Sequence, residues 1–213
     1  MISIKSNRNG ARTLQQKAYS AGMVKLSFWF AEFRKVVGLL STGKTLPEIK
    51  ALNQAENIFA APTQARAVQI FSTVAKRLQA IDSSCYPLFE RSDIATQKLI
   101  ALIAVMRTDA LFMEFMAEVF REKLIMGLDE LTDSDIAVFF KEKQRHSEHV
   151  ARWEDYTLKR LGACYKTLLM EAGLLERGAG KRKILRPLLD ASLEEWLRAN
   201  GLQAVLISLT GGR

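Results

Sequence analysis

The stretch LIALIAVM, residues 99 to 106, constrains the fold of this chain more than any other. It is apolar on every side of a helix and is stopped by Arg107 and Asp109. A helix that spans a bilayer needs about 20 apolar residues, so this one is expected inside the protein, not in lipid. A helix apolar all round is buried only when other helices surround it.

The rest of the chain supplies them. From Met23 to Leu40 apolar residues recur at Phe28, Trp29, Phe33, Val36, Val37 and Leu40, a helical stripe. Residues 61–82 place Pro62 near a first turn, followed by Val68, Phe71, Val74, Ala75 and Leu78. Ser92 is the expected cap of the helix that contains LIALIAVM. DALFMEFMAEVFREKL gives another helix, with Leu111, Phe115 and Val119 opposite a charged face, and Thr132 caps the one that carries Ile136, Phe139 and Phe140. Four prolines and twelve glycines in 213 residues leave little reason for sheet. The expectation is an all-α, multi-helix globular protein of roughly nine or ten helices with one short C-terminal β-hairpin. The division expected is a basic arm over 1–18, a helical subdomain over 19–128, and a second over 129–213 that holds the hairpin.

Charge is uneven along the chain. The total is +8, but residues 1–50 carry +7, residues 101–150 carry −4 and residues 151–213 carry +4. Concentrated basicity suits a polyanion binder, whereas scattered lysines only aid solubility. Cations near the N-terminus without an apolar core do not make a signal peptide, and two cysteines, Cys85 and Cys164, fit a reducing cytosol. A cytoplasmic location is expected.

The C-terminal part carries the most informative pattern. Leu158, Leu161, Tyr165, Leu168 and Ala172 form the buried stripe of a helix, with Lys159, Arg160 and Lys166 off that stripe. Gly173 ends the helix. LLERGAGKRKILRPLL follows, in which Arg177, Lys181, Arg182, Lys183 and Arg186 are five cations after Glu176 with no acid before Asp190. Gly178 and Gly180 permit a tight turn, so helix, turn and basic return arm resemble a winged helix, the wing touching phosphates. The alternative is a helical hairpin with a solvated loop. Pro187 marks the strand end before a capped helix, SLEEWLRAN. At the other end Arg8, Arg12 and Lys17 belong to an acid-free basic arm that can order on nucleic acid, or to a frayed terminus.

Two other motifs compete for a function. Gly38 to Thr45 (GLLSTGKT) matches the P-loop pattern letter for letter. A P-loop needs a preceding strand, yet FWFAEFRKVVGLL has helical periodicity; Gly43 as a helix end and Thr45 with Glu48 as a capping box explain the same residues. His146 and His149 in HSEH share a helical face but lack a third ligand cluster. No nucleophile, paired carboxylate or cofactor motif stands out, so no enzyme, small-molecule substrate or cofactor is expected.

YSAG (residues 19–22), EVFREKL (118–124), Trp153, LMEAGLL (169–175) and the terminal LTGGR together resemble the BrxA family of BREX bacteriophage-defence systems. The resemblance implies a cytoplasmic, non-enzymatic, helical component similar in shape to NusB, binding double-stranded DNA, with other BREX proteins as further partners. It transfers no residue-level site. A protein adaptor and an RNA-binding protein remain the alternatives.

Overall fold

The computed structural model of the chain describes residues 19–178 and 181–212. Its centre is the helix α5 (Ile94–Thr108), in which every residue from Leu99 to Met106 is buried. Around it, in chain order, come a 3-10 turn (Ala21–Lys25), α1 (Phe30–Ser41), α2 (Leu46–Glu56), α3 (Gln64–Gln79) and α4 (Cys85–Arg91). The chain leaves α5 through α6 (Ala110–Phe115), a π-helical segment (Met116–Phe120) and α7 (Arg121–Ile125). A two-residue strand, β1 (Glu130–Leu131), precedes α8 (Asp133–His146), α9 (Glu148–Ala151) and α10 (Asp155–Glu171). Then come β2 (Arg182–Lys183), α11 (Ala191–Ala199) and α12 (Gln203–Thr210). One hydrophobic cluster runs from Met23 to Leu209, and α12 returns to pack on the π-helical segment and α7. The fold is mostly helical, as expected.

Local chemistry sets the boundaries. Thr45 with Glu48 and Thr132 with Asp135 both form complete capping boxes at the starts of α2 and α8. Elsewhere the expected caps move. α5 is capped by Asp93, which accepts from the Thr96 amide at 2.7 Å, while the Ser92 hydroxyl donates back to Leu88 O at 2.7 Å. α11 is capped by Asp190, not by Ser192. Thr63 caps α3, leaving Pro62 outside the helix, and Val68 faces solvent while Ala67 and Ile70 are buried.

The stripe from Met23 does not make one long helix. Trp29 adopts φ 52° and α1 begins only at Phe30. Arg77 on α3 explains how that bend is held. Its buried guanidinium donates to Phe28 O at 2.5 Å and Ser27 O at 2.9 Å, and lies 5.9 Å from the centre of the Trp29 ring. Burial pulls the Arg77 pKa down to about 10, still charged at neutral pH.

Candidate nucleic-acid interface

The framework of the C-terminal part starts with Tyr165 on α10. It is fully buried, with ring centres 4.9 Å from Phe112, 5.1 Å from Phe115 and 5.7 Å from Phe140. Gly162 lets α8 approach: a Cβ there would stand 2.8 Å from Ile136 Cγ2. With that face buried, Lys159, Ala163 and Lys166 are turned toward a groove of about 570 Å³ between α8 and α10. Lys141 on α8 joins them, a cation that the sequence pattern hid in the charged end of its helix.

The basic return arm is the middle of three short extended segments. Residues 182–183 pair with β1 as Glu130↔Lys183 and Leu131↔Arg182, and Ile184 donates to Asp129 O at 2.6 Å. On its other side Leu175 bridges Ile184, Glu176 donates to Lys183 O at 3.0 Å and Leu185 donates to Leu174 O at 2.9 Å. Strand alternation then sorts the cations. Lys181 and Lys183 are exposed, Ile184 is buried, and Arg182 turns inward with a buried Nε that finds no partner among the described residues. The three consecutive cations therefore do not share one surface.

Several expected site residues have structural partners. Lys181 reaches Glu130 and Lys166 forms an ion pair with Asp133, so α10 and the return arm meet at residues 130–133. Arg186 donates to Leu124 O at 2.6 Å, fastening the segment after the arm to α7. Arg160 lies 5.7 Å from the Tyr156 ring centre and donates to Val24 O at 3.4 Å. Arg177 sits in the field of Glu171, whose pKa is raised by burial against the pull of Arg177 and Lys98. The side chains of Lys159 and Lys183 have no hydrogen-bond or ion-pair partner among the described residues. Arg8, Arg12, Lys17 and Gly180 lie outside the described residues.

The competing motifs resolve into helix ends. Gly43, at φ 90°, follows the end of α1, and the approach to the GKT triplet is α-helix from Phe30 to Ser41. His146 ends α8 and Ser147 caps α9, so the helix breaks between the two histidines; the His149 ring meets Trp153 edge-on at 5.5 Å. Among the described residues no group of three or more His, Cys, Asp or Glu is placed to hold a metal ion. Burial raises the thiols of both Cys85, to about 12, and Cys164, which disfavours a thiolate. Among the described residues no helix is long and apolar enough to cross a membrane.

The same overall fold occurs in the crystal structure of an uncharacterized protein from Magnetospirillum magneticum. It superposes with a TM-score of 0.75 at 18% identity, over 91% of this chain and 99% of that one. A BREX protein BrxA from Bacillus cereus (strain H3081.97) is 40% identical over 188 residues, which is 88% of this chain and 94% of the relative. The BrxA family model matches residues 17–201. The chain thus belongs to the BrxA family, whose members are components of BREX bacteriophage-defence systems.

Proposed function

We propose that this chain is the non-catalytic, cytoplasmic DNA-binding accessory component of its BREX system, gripping duplex DNA by its backbone phosphates. One observation carries the reading. In chain order the C-terminal part is helix (α6 to α7), strand β1, helices α8, α9 and α10, the bridge residue Leu175 and strand β2, with the 182–184 segment lying between β1 and Leu175. We read this order as resembling a winged helix. In such a module a helix enters a groove while the wing flanks it. Here the helix offers Lys159, Arg160 and Lys166, with Lys141 beside them. The wing offers Arg177, Lys181 and Lys183. Arg186 fastens the segment after the wing to Leu124 O and Arg182 turns inward, and Arg8, Arg12 and Lys17 add phosphate contacts from the N-terminal arm.

Lysine-to-phosphate contact is indifferent to base sequence and steeply salt-dependent. The test is fluorescence anisotropy of labelled duplex DNA, single-stranded DNA and duplex RNA across a salt series. Duplex DNA is expected to bind tightest, with little dependence on sequence. Stronger binding to duplex RNA would favour the RNA reading. No DNA binding even at low salt would leave the adaptor reading, which the acids Glu130 and Asp133 beside Lys181 and Lys166 favour.

A further inference from the structure

A second surface has the opposite character. Between α7 and α8 lies a hollow of about 350 Å³ in which Met126, Leu128 and Val138 are 62%, 47% and 56% exposed. Large apolar side chains so exposed and so close together mark a contact surface, and methionine adapts to varied partners. Glu118 and Val119, which also line it, belong to the π-helical segment Met116–Phe120, a local widening frequent at functional sites.

The rim is acidic. Glu118, Glu122 and Glu142 line it with side chains about half exposed. Each has a cation of its own chain beside it: Lys143 at 2.6 Å, Arg121 at 3.0 Å and Arg145 at 2.5 Å. The Glu142–Arg145 pair is exposed at both ends and contributes little, so an incoming cation can replace Arg145. At Glu118 and Glu122, whose own cations are more enclosed, it adds to the exposed side of the carboxylate. The remaining lining pair is Lys123 and Asp135 at 2.8 Å, both largely enclosed.

We infer that this hollow docks a cationic, amphipathic segment of a partner protein, its apolar side chains on Met126, Leu128 and Val138 and its lysines or arginines on the three glutamates. DNA is disfavoured as the occupant because the lining itself holds four acids, Glu118, Glu122, Asp135 and Glu142, against one cation, Lys123. A second copy pairing through the same surface would set glutamate against glutamate. The mode is a helix or extended segment laid into a groove, with a few apolar anchors supplying most of the affinity.

The test uses the full chain and a labelled synthetic peptide with leucines at helical i, i+3, i+4 and i+7 positions and lysines elsewhere. A counterpart carries glutamates in place of the lysines. The lysine peptide is expected to bind saturably, the glutamate peptide about tenfold more weakly, and Val138→Asp to weaken the lysine peptide about tenfold or more. Glu118→Lys with Glu142→Lys should erase the preference between the peptides. Circular dichroism checks that the variants are folded, and DNA affinity, measured in parallel, should be unchanged by Val138→Asp. Equal binding of both peptides, or no effect of Val138→Asp, overturns the inference. So does a dimer that Val138→Asp dissociates, which would assign the hollow to a second copy. A rise in peptide affinity on changing Arg8, Arg12 and Lys17 to Glu would assign it instead to the chain's own N-terminal residues, and also overturns it.

Discussion

Lys181 Nζ stands 3.0 Å from Glu130 Oε2 beside the small sheet, with the lysine side chain mostly in solvent and the glutamate about half exposed. The pair holds a proposed phosphate-binding lysine beside a carboxylate that repels DNA. Glu130→Gln is therefore expected to raise duplex DNA affinity by up to about fivefold, since an exposed pair contributes about 0.2–1 kcal/mol. The same variant should leave the melting temperature nearly unchanged. Weaker DNA binding on losing Glu130 would count against the wing as a contact.

Gly162→Ala tests the packing beneath the interface. The added methyl would stand 2.8 Å from Ile136 Cγ2, and Ile136 is buried against Phe140 and α10. Overpacking of this kind costs about 1–3 kcal/mol, set against about 1 kcal/mol of improved helix propensity. A net loss of stability in urea denaturation is expected. A gain would show that α8 and α10 shift apart freely.

The Thr132–Asp135 capping box makes a pH-dependent contribution. Burial opposes the charge on Asp135, but Lys123 at 2.8 Å and two bonds from Thr132 outweigh it and hold its pKa below the usual aspartate range. A depressed folded-state value stabilises above the unfolded-state pKa and ceases to do so as pH falls through the folded one. Asp135→Asn should cost about 1 kcal/mol at neutral pH, with the difference from the parent shrinking as pH drops below about 4. Urea denaturation at several pH values measures it. A constant difference down to strong acid would contradict the assignment.

At the P-loop look-alike, Thr45→Ala should cost about 1 kcal/mol by losing the cap of α2, because Thr45 Oγ1 accepts from the Glu48 amide and Glu48 bonds back to Thr45. Lys44→Ala should change neither stability nor DNA affinity. Saturable heat on titrating ATP, lost in Lys44→Ala, would restore the nucleotide reading.

What could be read from residues alone follows the range of the interactions concerned. Helices, the buried LIALIAVM segment, the Thr45–Glu48 capping box and the Thr132 cap depend on neighbours three or four positions away, and these were foreseeable. Ser92 and Asp93 both suit a cap, and only the bond from Ser92 back to Leu88 decides for Asp93. The bend at Trp29 depends on Arg77, far along the chain. β1 is two residues long, too short for any periodicity, yet its pairing with 182–183 turns Arg182 inward. Lys141 entered the groove only once α8 and α10 were packed together. The pairing of Lys166 with Asp133 and of Lys181 with Glu130 was likewise out of reach, being set by tertiary contact.

The central claim is that lysines of α10 and of the wing neutralise DNA phosphates. Its most direct test is the slope of log K against log salt for a labelled duplex, comparing the parent chain with the variant Lys159→Ala, Lys181→Ala, Lys183→Ala. Arg182 is left in place because its Nε is buried. Each phosphate contact contributes about −0.9 to the slope, so the variant should be flatter by up to about 2 to 3 units and weaker on every sequence alike. Its stability should match the parent, as exposed charges contribute little to folding. An unchanged slope in a folded variant would contradict the claim.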